Sequence, residues 1–330
     1  MSSQWLGLPV TKVLYLAGWG RSGSTILEAV LNQVPELVGC GELKFVWRRG
    51  LIENRRCSCG TPLRECGFWT RVFHEAYGGI PEARLAALDA ATGRYRTRHL
   101  PSLLLPGARD RYAPELAWYR DDLATLYRAV ARVAGAQVVV DSSKFPSHLV
   151  ALLQTPGLDV RVAHIVRDPR AVAYSWQRDK IDPDAPDGGR MPRLLPGVTG
   201  AYWSSWNLAT ERIARTNRLP YLRVRYEDMI ADPRAAIGPV LELAGLPGDR
   251  VPVAADGTVG LGVSHQVSGN PVRFSQGAIR IRDDDEWTRE MGAAAQVVVN
   301  AVTTPVRQRY GYRSARPAPV LAATPERVGS

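Results

Sequence analysis

The residues from Gly18 to Thr25 have the composition and spacing of an anion-binding loop. They read Gly-Trp-Gly-Arg-Ser-Gly-Ser-Thr, follow the apolar run 13–17 and precede the helical sequence 26–31. In a strand–turn–helix unit of this kind, the free N–H groups of the first helical turn and the helix dipole face an anion. The segment therefore predicts a phosphate-binding loop rather than an ordinary turn between a strand and a helix.

This loop lacks the lysine of a triphosphate site. Gly18 and Gly23 keep the spacing of the motif G-x-x-x-x-G-K-[ST], but Ser24 occupies the lysine position. Arg21, inside the turn, can instead direct two hydrogen bonds to one oxyanion. We therefore expect an anion site that does not use Mg²⁺ and a nucleoside triphosphate.

A second anion site is predicted behind a later strand. The apolar run 160–166 is followed by Arg167 and by Pro169, which suits the first turn of a helix. Ser175 follows Arg167 within the same predicted strand–helix unit. Because the carboxyl ends of parallel strands open into one crevice, an arginine and a hydroxyl are expected to converge there on a second phosphate.

The elements that must position these residues alternate along the chain. Strands are predicted at 13–17, 137–140, 160–166 and 221–225, and helices at about 115–134, 145–155, 169–180, 200–217 and 233–244. Two of the strands are almost continuously apolar, as in a parallel sheet that is covered on both faces. We expect an α/β fold with a P-loop-like, mainly parallel sheet of four or five strands, flanked by helices on both faces.

Three segments depart from this alternation. Residues 51–114 predict an insertion after the first βα unit, and residues 181–198, rich in Pro, Gly and Asp, predict a long loop that is either a lid or disordered. Residues 315–330 are typical of a loose C-terminal tail. We expect one domain over residues 1–314, with the insertion and the long loop lining a ligand pocket.

The composition indicates a folded protein without a membrane span. The chain has 330 residues, 45% of them hydrophobic, which is enough for a sizeable core. No apolar run approaches the about 18 residues of a transmembrane helix. The N-terminal sequence has no secretory pattern, so we expect a cytoplasmic location.

The charge suits a small polyanionic ligand. The net charge is +10, but the arginines are scattered and form no basic run. Nucleic-acid binding by clustered basic and aromatic residues is therefore not expected. A basic cleft does raise the association rate of an anionic small molecule.

The two anion motifs resemble those of sulfotransferases that use 3′-phosphoadenosine-5′-phosphosulfate. In that family an R-S-G-[ST]-[ST] motif holds the 5′-phosphosulfate, and an R-D-P-R-x-x-x-x-S motif holds the 3′-phosphate. The first motif corresponds here to Arg21, Ser22, Gly23, Ser24 and Thr25, and the second supplies Arg167 and Ser175. The motifs occur in the family's order, each behind a predicted strand. The resemblance covers residues 12–230 and is closer to carbohydrate and tyrosylprotein sulfotransferases than to the cytosolic phenol and steroid enzymes, which vary the first motif.

The resemblance extends to later segments. Tyr226 corresponds to a family tyrosine that lies near the adenine, and the segment 268–274 is similar to a late loop that closes over the 3′-phosphate in bacterial members. In that loop Ser268 and Arg273 are the expected contacts.

The resemblance implies in-line transfer of a sulfuryl group from 3′-phosphoadenosine-5′-phosphosulfate to a hydroxyl of a small-molecule, sugar or peptide acceptor. The transition state is loose, as in phosphoryl transfer, and needs a general base and donors for the bridging oxygen but no catalytic metal. The alternative is a P-loop small-molecule or nucleotide kinase, which the serine at position 24 argues against.

Glu42 is the expected general base, because tyrosylprotein sulfotransferases look alike over this stretch and their glutamate is the proposed base. His148 is the alternative base, since cytosolic sulfotransferases use a histidine shortly after a strand-end lysine. Lys144 is expected to stabilise the bridging oxygen, and Arg21 to share that task.

The chain has four cysteines, at Cys40, Cys57, Cys59 and Cys66. The last three form a C-x-C-x₆-C pattern at the start of the predicted insertion. Three interpretations stay open: reduced thiols, a disulfide, or a structural zinc site.

Overall fold

The computed structural model describes residues 10–96, 115–185, 188–282 and 284–312. The expected tail 315–330 and residues 97–114 of the expected insertion lie outside this description. Five parallel strands form the main sheet, in the order β2-β3-β1-β4-β5. They are β1 (Thr11–Ala17), β2 (Leu37–Gly39), β3 (Val138–Lys144), β4 (Leu158–Val166) and β5 (Tyr221–Arg225). The antiparallel strands β6 (Thr258–Leu261) and β7 (Gly277–Arg280) form a small second sheet.

Helices follow most strands of the main sheet. The α-helices are α1 (Ser24–Leu31), α2 (Gly67–Tyr77), α3 (Leu85–Arg94), α4 (Ala117–Ala134), α5 (Pro146–Leu153), α6 (Pro169–Gln177), α7 (Pro196–Thr216), α8 (Tyr226–Ala231), α9 (Pro233–Ala244), α10 (Trp287–Glu290) and α11 (Ala293–Arg309). Short 3₁₀ or π turns lie at Leu43–Phe45, Val46–Ile52, Leu63–Glu65, Glu82–Arg84 and Pro271–Phe274. Among the described helices, none has the length and apolar character that crossing a bilayer requires.

The sheet is buried on both faces, which explains its nearly continuous apolar strands. Along β1, Val13 and Tyr15 point into the hydrophobic cluster that includes α4 and α5. Leu14 and Leu16 point to the opposite face, into the cluster with α1 and α9. Because successive side chains of a strand alternate in direction, both sets must be apolar. The predicted α/β fold with a parallel sheet between two helical layers is confirmed.

The predicted sheet was incomplete at one edge. The predicted set of strands omitted β2, a three-residue strand that pairs with β3, because so short a run has no periodicity of its own. It also ended the third strand at Val140, whereas β3 continues through Asp141 to Lys144. Polar residues can continue this buried strand because Asp141 accepts hydrogen bonds from Tyr127 and from the N–H and hydroxyl groups of Ser143.

Two helices begin with an aspartate and a proline, which determines where they start. Pro169 is the first residue of α6, and the Asp168 carboxylate accepts the N–H of Arg170 at 2.9 Å. Asp232 caps α9 in the same way before Pro233. Proline is suited to the first helical turn because its missing N–H would have no helical partner there. The cap of α6 leaves Arg167 just before the helix, at the end of β4.

The predicted long loop ends earlier than expected, since α7 begins at Pro196 rather than after residue 198. Its two arms meet at an antiparallel bridge between Ile181 and Arg190. Asp184 accepts the N–H of Arg56 at 2.9 Å and is ion-paired with Arg273 at 2.6 Å. The described part of the loop is therefore held against two other segments of the chain.

Candidate active site

A cavity of about 590 Å³ lies at the carboxyl ends of four parallel strands. Its wall includes Trp19 after β1, Lys144 at the end of β3, Arg167 after β4 and Tyr226 after β5. This is the edge at which α/β sheets of this kind bind ligands, and the volume is in the range of small-molecule sites. The strand ends singled out in the sequence therefore meet at one cavity.

The long loop contributes to this cavity, whereas the described part of the expected insertion does not. Asp182, Met191 and Pro192 of the loop lie on the wall. No residue of the described part of the insertion, 51–96, lies there. The expectation that both segments line the ligand pocket stays a prediction, and among the described residues only the long loop reaches this cavity.

The glycine-rich loop needs its glycines for both backbone conformation and space. Gly18 and Gly23 have φ values of 134° and 97°, where residues with a Cβ are strained. A Cβ on Gly23 would lie 2.5 Å from Cδ2 of Tyr226, and a Cβ on Gly18 would clash with the carbonyl oxygen of Ile165. The loop is thus packed directly against β4 and against the helix that follows β5.

The first turn of α1 faces the cavity. Gly23, Ser24 and Thr25 lie on the wall, and α1 has no side-chain cap at its N-terminus. Its first N–H groups have no partner within the helix. The Ser22 hydroxyl is buried beside them and has no hydrogen-bond partner among the residues that the structure describes. The start of α1 therefore offers hydrogen-bond donors to an anion, and the anion site that the sequence predicts stays a prediction.

The Arg21 guanidinium lies on the cavity wall, in contact with one residue of the long loop and one residue of α6. Its Nη2 lies 2.9 Å from the sulfur of Met191, and its guanidinium lies over the Trp176 ring, 5.2 Å from the ring centroid. Burial lowers the pKa of Arg21, yet an arginine stays charged in proteins. The φ of 70° at Arg21 is a strained value for a residue with a side chain and directs it into the site.

Glu42 and Lys144 form an ion pair on the cavity wall. Lys144 Nζ lies 2.5 Å from Glu42 Oε1 and 2.8 Å from the carbonyl oxygen of Ser142. The Ser268 hydroxyl lies 3.4 Å from the other carboxylate oxygen of Glu42. Lys144 also has a positive φ of 68°, which turns the chain at the end of β3. The predicted base and the predicted cation are therefore in direct contact.

Glu28 connects the segments that carry this pair. This residue was not among those predicted from the sequence. It is fully buried, and its carboxyl accepts the N–H of Gly41 and the hydroxyl of Ser142, each at 2.6 Å. Burial raises the pKa of Glu28 to about 7, partly offset by these hydrogen bonds. The available signal was a charged residue within the apolar helix sequence 26–31.

Arg167 and Ser175 lie on the same cavity wall, together with Tyr226. The Arg167 guanidinium stacks over the Tyr226 ring at 4.4 Å from its centroid. Its Nη2 donates to the carbonyl oxygen of Asp284 at 2.8 Å and lies 3.4 Å from the carboxylate of that residue. An acidic side chain thus neutralises the arginine where a second phosphate was predicted.

The late loop approaches the site with different residues from those expected. Gly269 and Asn270 lie on the wall, and Asn270 donates its N–H to the Thr25 hydroxyl at 3.5 Å. Ser268 is buried behind the wall and accepts from Arg49 at 2.8 Å. Arg49 itself lies on the wall, and the sequence contained no signal for it.

Arg273 is not brought to the cavity. Its guanidinium is ion-paired with Asp184 of the long loop at 2.6 Å, and it lies 3.5 Å from the carbonyl oxygen of Gln266. Burial lowers the pKa of Arg273, and Asp184 opposes this effect. The carboxylate partner explains why the side chain points away from the wall.

His148, the alternative base, lies in the core rather than on the cavity wall. In α5 its Nε2 lies 3.3 Å from the Asp141 carboxylate and 3.3 Å from the Tyr127 hydroxyl. Its ring is 1% exposed, and burial lowers its pKa. An acceptor hydroxyl in the cavity has no direct access to this imidazole.

Part of the cavity wall is aromatic. Trp19 packs edge-on against Trp206 with ring centroids 4.7 Å apart, and Trp206 packs against Phe145 at 5.4 Å. Phe145 in turn contacts Phe45 at 5.6 Å. All four rings lie on the wall, on the same cavity as Glu42 and Lys144.

A glycine-rich loop after the first strand of a parallel α/β sheet, with a carboxylate–ammonium pair on the same cavity, suits an enzyme that transfers a group. The chain belongs to the sulfotransferase family: residues 14–250 match the family described as "Sulfotransferase family". The protein is therefore a sulfotransferase, and the resemblance noted in its motifs is confirmed at this level.

A solved sulfotransferase domain of low sequence identity shares this fold. The sulfotransferase domain from the olefin synthase of Synechococcus PCC 7002 superposes with a TM-score of 0.51 at 19% identity, covering 96% of this chain and 100% of that domain. The sulfotransferase domain from the curacin biosynthetic pathway gives a TM-score of 0.47 at 15% identity, covering 93% and 99%. Sulfotransferase STF9 from Mycobacterium avium gives 0.40 at 16%, covering 73% and 66%. No curated protein matches the sequence significantly.

Proposed function

We propose that this sulfotransferase moves the sulfuryl group of 3′-phosphoadenosine-5′-phosphosulfate to an acceptor hydroxyl, with Glu42 as the general base. The observation that carries the proposal is the contact of 2.5 Å between Glu42 and Lys144 on the wall of a cavity that the glycine-rich loop also lines. A carboxylate and an ammonium group beside an anion-binding loop are the groups that sulfuryl transfer between two oxygens requires.

The donor is assigned to the two anion-binding regions of the cavity. The N–H groups at the start of α1 and the Arg21 guanidinium would bind the phosphosulfate. Arg167 and Ser175 would bind the 3′-phosphate, and Tyr226, stacked under Arg167, would lie beside the adenine. Binding exchanges the Asp284 contact of Arg167 for a phosphate, which an arginine holds through two parallel hydrogen bonds.

The reaction needs one proton transfer and one charge neutralisation. Glu42 takes the proton of the acceptor hydroxyl as that oxygen bonds to sulfur, and the bond from sulfur to the bridging oxygen of the donor breaks. Lys144 and Arg21 stabilise the negative charge that develops on the bridging oxygen, and adenosine 3′,5′-bisphosphate leaves. When Glu42 becomes protonated, its hold on Lys144 weakens, which frees the ammonium for the leaving oxygen. Two cations supply this charge, so the proposed step requires no metal.

The acceptor is a hydroxyl of a small molecule, a sugar or a peptide, and the aromatic wall favours an acceptor with an apolar or aromatic body. Trp19, Phe45, Phe145 and Trp206 present ring faces and edges to the same cavity as Glu42. Burying apolar surface against such rings contributes about 25 cal/mol per Å². Phenols and lipidic alcohols should therefore be better acceptors than monosaccharides in a panel assayed with labelled donor.

Isothermal calorimetry tests the donor assignment. We expect adenosine 3′,5′-bisphosphate to bind, and ATP with Mg²⁺ and single-stranded RNA not to bind. Binding of ATP that depends on Mg²⁺ would favour a kinase and overturn the proposal, and binding of RNA alone would favour a nucleic-acid partner. An Arg167→Ala variant should bind the bisphosphate more weakly than the wild type. Arg212→Ala, which changes an exposed arginine of α7, is its charge-matched control.

A further inference from the structure

Three cysteines and one histidine meet outside the active-site cavity. The sulfur atoms of Cys57, Cys59 and Cys66 and a ring nitrogen of His265 all lie within 4.8 Å of one another. The cysteines belong to the start of the expected insertion, whereas His265 lies 199 residues after Cys66, in the segment that follows β6. The C-x-C-x₆-C pattern thus acquires a fourth donor that is remote in sequence.

Three of the six separations between the donor atoms are close to those of a tetrahedral zinc site. His265 Nδ1 lies 3.3 Å from the Cys66 sulfur and 3.6 Å from the Cys57 sulfur, and the sulfurs of Cys59 and Cys66 are 3.6 Å apart. With Zn–S bonds of about 2.3 Å and Zn–N bonds of about 2.0 Å, neighbouring ligand atoms of a tetrahedron lie roughly 3.5 to 3.8 Å apart. The geometry of these side chains needs little change to accept an ion.

We propose that Cys57, Cys59, Cys66 and His265 bind one structural Zn²⁺ ion. Three thiolates and an imidazole are a donor set typical of structural zinc, and soft sulfur ligands disfavour Mg²⁺ and Ca²⁺. On binding, the three thiol protons pass to solvent and no electrons are transferred. The four donors complete the tetrahedron and none lies on the cavity wall, so the ion has no open position for catalysis.

The surroundings of His265 orient its ring toward the sulfurs. The Phe68 ring stacks on the imidazole with centroids 4.8 Å apart and planes 8° from parallel. Trp69 Nε1 donates to the carbonyl oxygen of His265 at 2.8 Å. Between the cysteines, the Ser58 hydroxyl accepts the N–H of Gln266 at 2.7 Å. These contacts hold the imidazole ring and the backbone beside it in place, as contacts around a metal site commonly do.

The ion would fasten the residues just before the late loop to the start of the expected insertion. Val267, two residues after His265, donates its N–H to the carbonyl oxygen of Cys40 at 2.9 Å, and Ser268 contacts Glu42. Gly269 and Asn270 then form part of the cavity wall. Zinc would therefore hold the backbone that builds this wall without contacting the reacting groups.

Metal analysis of the full-length protein, purified without a polyhistidine tag, tests the site. We expect about one zinc ion per chain by mass spectrometry of the metal, and loss of zinc in Cys59→Ser and His265→Ala. Cys40→Ala and His74→Ala are the matched controls, because they change the remaining buried cysteine and an exposed histidine of α2; both should retain zinc. Zinc retained equally by His265→Ala and His74→Ala would overturn the proposal.

A second measurement does not depend on the folding of any variant. Replacing zinc by Co²⁺ in the wild-type protein should give the thiolate-to-metal charge-transfer band and the intense d–d bands of a tetrahedral cobalt–thiolate site. A chain free of metal, with a mass two hydrogens lower because two of the cysteines form a disulfide, would overturn the proposal. A metal-free chain with three reactive thiols that takes up no Co²⁺ would also overturn it.

Discussion

Glu42 and Lys144 are separated by 102 positions in the chain, and the contact between them organises the reacting end of the cavity. The ammonium keeps the carboxylate oriented, and the Ser268 hydroxyl approaches its second oxygen. A base held on two sides loses little orientational freedom when an acceptor hydroxyl arrives, which favours proton transfer in the transition state.

Glu42→Gln should keep the shape of the site and remove the proton acceptor. We expect kcat to fall by about 10²- to 10⁴-fold with little change in donor affinity. The loss should be smaller for acidic acceptors such as nitrophenols, because they need less help to lose their proton. Steady-state kinetics over a series of phenols, together with calorimetry of the bisphosphate, measures both quantities.

Two controls accompany this prediction. Glu242→Gln changes an exposed glutamate of α9 and should leave kcat unchanged. His148→Gln should have a mild effect on kcat per folded enzyme, because that imidazole is buried beside Asp141. If His148→Gln instead loses most of its kcat and Glu42→Gln retains most of it, the histidine is the base.

Arg167→Ala and Ser175→Ala should weaken adenosine 3′,5′-bisphosphate selectively. Each change removes a donor for the 3′-phosphate, and a charge-assisted hydrogen bond to a phosphate contributes about 1.5–3 kcal/mol, or roughly 10- to 100-fold in affinity for the arginine. Adenosine 5′-phosphosulfate lacks the 3′-phosphate, so its affinity should change little. Equal losses for the two ligands in calorimetry would show that these residues do not bind the 3′-phosphate.

At the scale of elements, α1 is joined to the segments on either side of the active site by one buried carboxyl. Glu28 contacts the N–H of Gly41, next to Glu42, and the hydroxyl of Ser142, two residues before Lys144. The buried Glu28 carboxyl therefore links α1 by hydrogen bonds to the segments that carry the proposed base and the strand-end lysine. A change in the charge of Glu28 should therefore change the free energy of unfolding of the protein.

Glu28→Gln should remove a pH dependence of stability. The folded-state pKa of Glu28 is raised from 4.5 to about 7, so the folded state favours the protonated carboxyl. The resulting stabilisation is fully present below about pH 4.5 and is lost as the pH rises through about 7, a change on the order of 3 kcal/mol. As the pH rises through this range, the thermal unfolding midpoint of the wild type should fall relative to that of Glu28→Gln. Parallel curves for the two proteins would contradict the shifted pKa.

The loop that follows α6 should respond to ligands as a lid. Met191 and Pro192 form part of the cavity wall, while Asp184 holds the other arm of the loop to Arg273. We expect amide hydrogen exchange in residues 188–195 to slow when bisphosphate and acceptor bind, with α4 unchanged as the internal control. Full protection of this segment in the free protein would exclude a lid.

At the scale of the whole molecule, the charge of +10 should accelerate donor capture. The association rate of the bisphosphate, measured by stopped flow, should fall by about tenfold or more between low and high ionic strength because salt screens the attraction. Uncharged adenosine is the control and should show little dependence. A flat rate for the bisphosphate would mean that the positive charge lies away from the cavity.

Local sequence determined much of this architecture. Four strands of the main sheet and the helices after them could be predicted, because apolar runs, Pro at first turns and Gly at tight turns act within a few residues. The anion loop was predictable for the same reason, since Gly18 and Gly23 meet a conformational need of the backbone itself. The strand β2 was not, because only pairing with β3 makes three residues a strand.

The fold class, the sulfotransferase motifs and the carboxylate proposed as the base could all be predicted without coordinates. The folded structure was needed to find the partners of these groups: Lys144 for Glu42, Asp284 for Arg167 and Asp184 for Arg273. It also brought His265 to the three cysteines, a meeting that no spacing within the chain reveals. The physical reason is that motifs arise from interactions between neighbours in sequence, whereas contacts between distant segments form only when the packed sheet brings its strand ends and loops together.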